Sequence, residues 1–136
     1  MNKKDIRKIS EKVIKIQQDT IEDLKINVAD DVIKVIQYLA KIDGKIIVTG
    51  IGKSALVGMK VAATLNSTGS PSVFMHGSDA LHGDVGVVSN KDVVIIISKS
   101  GNNRETIELV KNLKKSENVI IGLSSNKDSF LAKNSN

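Results

Sequence analysis

Two glycine-bearing segments combine the residue types that hold a phosphate: Thr49-Gly50-Ile51-Gly52-Lys53-Ser54 and Ser98-Lys99-Ser100-Gly101-Asn102-Asn103. In the first, the glycines permit a tight turn and close approach of backbone to a ligand. A helix opening beside Ser54 offers free N–H groups and a positive dipole end to an anion. Lys53 adds a cation aimed into the same space. In the second, Ser98 and Ser100 alternate ahead of Gly101, so their hydroxyls and the N–H groups of a following helix would donate together to phosphate oxygens. Ordinary capping by Ser and Asn is the competing reading of that segment. Gly52, Ser54, Ser98, Ser100 and Asn103 are therefore candidate phosphate-binding residues. Glu105 would stabilise the first turn of its helix electrostatically. It is also the carboxylate nearest the expected phosphate, which makes it a candidate general base.

A third cluster, His76, Asp79, His82 and Asp84, contains both histidines of the protein. Zinc would need a third ligand that this spacing does not supply. Two other nucleotide-type readings fail or weaken. A Walker A loop needs glycine six residues before the lysine, and Ile47 stands there. The pattern Gly50-x-Gly52-x-x-Ala55 fits a dinucleotide fingerprint, but Met75 and His76 stand where an acidic residue should end the second strand.

Elements able to position these segments are legible in the hydrophobic pattern. Lys45–Thr49, Ser72–Met75, Asp92–Ile97 and Asn118–Leu123 are short runs rich in Val and Ile, which reads as buried parallel strands. Helical spacing recurs in Ile6, Ile9, Val13 and Ile16, and again in Val28, Val32, Ile36 and Leu39, which Gly44 would end. An apolar stripe of this kind packs on a core or on a second subunit. Helices are also expected over Ser54–Ser67, Asn103–Lys115 and from Asp128, with Gly77–Val88 a loop holding one helical turn. Alternation of strands and helices implies a three-layer α-β-α fold with a parallel, flavodoxin-like sheet, preceded by two N-terminal helices. If the second strand lies beyond the first, the first and third strands are neighbours. Their exits, Gly50–Ser54 and Ser98–Asn103, then flank the switch point where such sheets bind ligands. A single domain over 1–136 is expected, with N-terminal helices in 1–43 and the core in 44–136. The last strand would then be a partly uncovered edge, so the core reads as incomplete at its C-terminus or covered by a partner chain.

Composition narrows the function classes. Of 136 residues, 40% are hydrophobic but only 2% aromatic, so the core must be aliphatic. The net charge of +5 comes from 20 basic and 15 acidic side chains, interspersed and without aromatics to stack on bases, which argues against a nucleic-acid partner. A mild positive field instead suits an anionic metabolite. With no cysteine there is neither a disulfide framework nor a thiolate metal site. No apolar run is long enough for a membrane span, and the charged N-terminus lacks a signal-peptide core. The expected location is cytoplasmic, without a membrane partner.

The segments above, with Ala63-Thr64-Leu65-Asn66-Ser67-Thr68-Gly69-Ser70-Pro71 and His76-Gly77-Ser78-Asp79-Ala80-Leu81-His82-Gly83-Asp84-Val85-Gly86, resemble the sugar isomerase (SIS) domain, and more closely the arabinose 5-phosphate isomerases. The match runs from about Gly44 to Ala132. The resemblance implies an aldose–ketose isomerase converting ribulose 5-phosphate to arabinose 5-phosphate, a precursor of the lipopolysaccharide sugar Kdo. By position, Lys53 and Glu105 match catalytic residues, and His82 matches a substrate contact counted among the catalytic groups. Gly69 and Ser70 match substrate-contacting backbone, and His76 matches a position that takes zinc. No cofactor is required in such enzymes, and they form homo-oligomers, usually tetramers, with dimers the smaller alternative. Asn103 stands where SIS loops carry Thr or Ser. A further Glu and His of the family lie beyond Asn136. The resemblance therefore leaves a second expectation, a non-catalytic module that binds a sugar phosphate.

Overall fold

A computed structural model describes residues 2–27 and 29–136. Val28, expected on the second helix, lies outside the described residues. The chain divides into two compact units, Met1–Ala40 and Lys41–Asn136.

The first unit holds α1 (Lys3–Asn27) and α2 (Ala29–Leu39). Ile6, Ile9, Val13 and Ile16, the stripe read from the sequence, are all exposed in this chain. So are Val32 and Ile36 of α2. The sequence places the end of α2 at Gly44, but the helix stops at Leu39, where its apolar periodicity also stops. Gly44 has a different reason to be glycine. Its backbone passes so close to Lys91 that a Cβ would overlap the Lys91 carbonyl group.

The second unit runs β1 (Ile46–Gly50), α3 (Lys53–Ser67), β2 (Ser72–His76), α4 (Gly77–Leu81), a 3₁₀ turn (Asp84–Val87), β3 (Val93–Ile97), α5 (Arg104–Lys115), β4 (Val119–Leu123) and α6 (Phe130–Asn134). The four strands form one parallel sheet in the order β2-β1-β3-β4. Ala55, Gly58 and Ala62 are the buried residues of α3, and Gly58 admits the Phe74 ring and Val48 against its backbone. On the other face, Ile47, Val94, Ile96 and Ile120 meet Leu109, Val110 and Leu113 of α5, Ala80 of α4 and Leu131 of α6. Helices on both faces explain why the strands read as continuous Val/Ile runs and do not alternate with polar residues.

A polar clamp fixes the N-terminal ends of the strands. The Asp92 carboxylate is buried and accepts from Lys45 N at 2.9 Å, Lys45 Nζ at 2.6 Å and Ser89 N at 2.8 Å. Burial alone would push this carboxyl up, but the hydrogen bonds from Lys45 and Ser89 outweigh it and hold it at about 2. Asn118 Nδ2 donates to the Ser89 and Asp92 carbonyls, joining the start of β4 to the same clamp. The expected open edge at β4 is partly occupied. Asn136 N donates to Ile120 O at 2.9 Å, and Ile120 N donates to Asn136 Oδ1 at 2.9 Å.

Candidate functional site

Register sets what meets at the C-terminal edge of the sheet. Gly50 lies between His76 of β2 and Ile97 of β3, and Ile97 lies beside Leu123 of β4. Three loops therefore leave the sheet side by side: Ile51–Gly52, Ser98–Asn103 and Ser124–Ser129.

The first turn is built from backbone constraints. A Cβ on Gly50 would lie 2.9 Å from the Ser54 carbonyl atoms, so only glycine lets α3 begin this close to the strand. Gly52 caps α3 at φ 58°, ψ −126°, a conformation L side chains avoid. Ser54 N and Ala55 N are already bonded to the Ile51 and Gly52 carbonyls. Lys53 opens α3 and is exposed. A Cβ on Gly77 would meet Ile51 Cγ1 at 2.7 Å, so the histidine segment packs directly against this turn.

The second loop is held from inside. Ser98 is buried, and its hydroxyl accepts from Gly101 N at 3.2 Å while donating to Asn103 Oδ1 at 3.1 Å. Thr106 Oγ1, also buried, bonds to Ser98 Oγ and Asn103 Oδ1. Asn103 Nδ2 in turn donates to Glu105 Oε2 at 3.2 Å. Ser100 Oγ accepts from Asn102 N in a local turn. The Lys99 carbonyl accepts from Ser125 N at 3.1 Å, Ser125 Oγ at 2.7 Å and Ser124 Oγ at 3.2 Å. Gly101 adopts φ +63°, and α6 seats against it: Leu131 N donates to Gly101 O, and Phe130 N donates to Asn102 Oδ1.

Between these loops lies a cavity of about 320 Å³. Ile51 and Ser54 supply one wall; Ile97, Ser98, Lys99 and Ser100 supply the other. Asn103, Thr106 and Ser125 complete it. Of the residues proposed from sequence, Ser54, Ser98, Ser100 and Asn103 are thus brought together. Gly52, Lys53, Gly69, Ser70, His76, His82 and Glu105 do not line this cavity. Gly69, at φ +85°, ends α3 in a six-residue cap in which Ser70 N bonds Leu65 O and Gly69 N bonds Asn66 O. His82 is exposed at the end of α4, and its N–H bonds the Asp79 carbonyl. His76 Nδ1 accepts from Ser78 N, leaving Nε2 for other partners, and its ring meets Phe74 edge-on. Among the described residues no group of three or more His, Asp or Glu could hold a metal ion, so His76 alone does not make a zinc cage.

The sequence reading did not single out Thr106, Ser125 and Lys99 as site residues. Thr106 follows Asn103 by three residues on α5, a spacing that returns it to the same face. Ser125 follows β4, whose neighbour is β3. The first signal lies in helical spacing alone, and the second needs the strand order to be read.

A family model described as SIS domain matches residues 38–136. The chain belongs to the SIS domain family. This SIS-domain chain is 38% identical over 124 residues to the arabinose 5-phosphate isomerase KdsD of Pseudomonas aeruginosa, covering 91% of this chain and 38% of that one. It is 45% identical over 101 residues to the arabinose 5-phosphate isomerase KpsF of Escherichia coli O6:H1, covering 74% of this chain and 31% of that one. Among solved structures it superposes on the Escherichia coli CFT073 protein c3406, solved in complex with arabinose 5-phosphate, with a TM-score of 0.93 at 34% identity, covering all of this chain and 72% of that one. The chain therefore spans well under half the length of the curated relatives it matches. The same fold is shared with a sugar-phosphate isomerase from Listeria monocytogenes, with a TM-score of 0.93 at 31% identity, covering all of this chain and 72% of that one.

Proposed function

We propose that this SIS domain binds a sugar phosphate and isomerises it between aldose and ketose, with ribulose 5-phosphate and arabinose 5-phosphate as the pair and Kdo synthesis as the product's use. The carrying observation is the hydroxyl- and amide-lined cavity at the paired exits of β1 and β3. A TM-score of 0.93 to a protein solved with arabinose 5-phosphate supports the same reading.

Isomerisation moves a proton between adjacent carbons through an enediolate. It needs a base at the carbon, a donor at the oxygens and a cation for the developing charge. Glu105 is the proposed base, His82 the donor and Lys53 the cation. Ser54, Ser98, Ser100 and Asn103 serve the phosphate end, with Gly52, Gly69 and Ser70 contributing backbone. Lys53, His82 and Glu105 do not line the cavity; in this reading the reacting end of the sugar projects beyond the cavity to meet them. No cofactor enters this scheme, and a homo-oligomer in the cytoplasm is the proposed working state. No helix among the described residues is long and apolar enough to cross a membrane.

The test is to incubate the chain with ribulose 5-phosphate, follow arabinose 5-phosphate by NMR, and titrate arabinose 5-phosphate by calorimetry. Conversion with binding is the expected result. Binding without conversion would leave a sugar-phosphate-binding module. Absence of both would overturn the reading.

A further inference from the structure

Lys99 differs from every other residue around the cavity in carrying a charge; its neighbours there are hydroxyls, one amide and aliphatic groups. A phosphate monoester brings about 1.5 to 2 negative charges at neutral pH. Neutral donors alone would leave that charge uncompensated. They are also less available than a sequence reading suggests, because the Ser98 hydroxyl is bonded to Gly101, Asn103 and Thr106.

The backbone of Lys99 is held while its ammonium is not. Its carbonyl takes hydrogen bonds from Ser125 N, Ser125 Oγ and Ser124 Oγ. Among the described residues its Nζ has no hydrogen-bond or ion-pair partner. The other cation near the edge, Lys53, does not line the cavity. A tethered stem with an uncommitted charge at its end suits an anion that arrives from solution, because the ordering of the backbone is already complete.

We propose that Lys99 pairs with the phosphate group of the sugar phosphate and sets the preference for phosphorylated over neutral sugars. Lys53 is then left for the reacting end. This assignment rests on the sugar-phosphate reading of the same cavity. It adds a division of labour between two lysines: one recognises the substrate, the other stabilises charge during reaction.

Calorimetric titration of arabinose 5-phosphate into wild type, Lys99→Gln and Lys99→Arg tests it, with inorganic phosphate as a competing ligand. Loss of one charge-assisted contact should raise Kd roughly 10- to 100-fold in Lys99→Gln. Lys99→Arg should recover most of the affinity, and inorganic phosphate should displace sugar phosphate from wild type far better than from Lys99→Gln. Thermal unfolding of each variant should match wild type, because the side chain is exposed. Wild-type affinity in a folded Lys99→Gln overturns the Lys99 assignment alone. Failure of wild type to bind arabinose 5-phosphate overturns the sugar-phosphate reading, and this assignment with it.

Discussion

Replacing Gly101 by alanine probes how the serine loop is seated. Two separate penalties apply. Gly101 has φ +63°, where an L side chain loses about 1–2 kcal/mol. Its Cβ would also overlap Ser129 Oγ and lie 2.6 Å from Ser129 Cβ and 2.9 Å from Ser124 Oγ. Overpacking of this kind adds about 1–3 kcal/mol. The total is roughly 2–5 kcal/mol. Gly69→Ala supplies the internal reference. Gly69 has φ +85° with nothing within 4 Å of an added Cβ, so it loses only the conformational part. Urea unfolding followed by circular dichroism measures both. With an extra penalty of about 1–3 kcal/mol and slopes of about 1–3 kcal/mol/M, Gly101→Ala should lower the midpoint by roughly 0.3–3 M beyond the Gly69→Ala shift. The double variant Gly101→Ala/Ser129→Gly should recover part of that difference, less the lost helix cap that Ser129 gives Ala132 N. Equal losses in Gly101→Ala and Gly69→Ala would refute the claim that close packing on Ser129 seats the loop.

Two further outcomes follow from the clamp and from the proposed base. The Asp92 carboxyl is held at about 2 against an ordinary 3.8, so its hydrogen bonds contribute about 2 kcal/mol that is fully present above pH ~4 and is lost as pH falls toward ~2. The stability gap between wild type and Asp92→Asn should therefore shrink by roughly 1 kcal/mol between about pH 7 and about pH 3, and a gap independent of pH would refute this. Glu105→Gln should lower kcat about 10²- to 10⁴-fold while leaving Kd for arabinose 5-phosphate within a few-fold, because Glu105 does not itself line the cavity; equal turnover by the variant would remove Glu105 as the base.

The sheet was readable because each strand is a compact Val/Ile run bounded by Gly, Ser or Asn, and burial on both faces demands such runs. Placing β1 beside β3 followed from the topology of doubly wound sheets, and that placement brought Ser54 together with Ser98 and Ser100. What could not be read was the inward use of polar side chains. Ser98 looks like a free phosphate donor in one dimension, yet Thr106 and Asn103 close on it once α5 is folded. Gly44 illustrates a different limit. Glycine after an apolar helix suggests a C-terminal cap, but here it answers to Lys91, which is remote in sequence. The stripe on α1 gave the helix correctly without telling what covers it, since periodicity reports a face and not its partner.

The three donors converging on the Lys99 carbonyl have a consequence for engineering. They tie the exit of β3 to the exit of β4, so those two rims behave as one rigid jaw. Inserting or deleting a residue between Ser98 and Gly101 would disturb all three attachments at once, whereas among the described residues no such hydrogen bond ties the opposing jaw at Ile51 to β4. Attempts to reshape the cavity for a bulkier or shorter ligand should therefore redesign Ile51 and leave the serine loop at its native length.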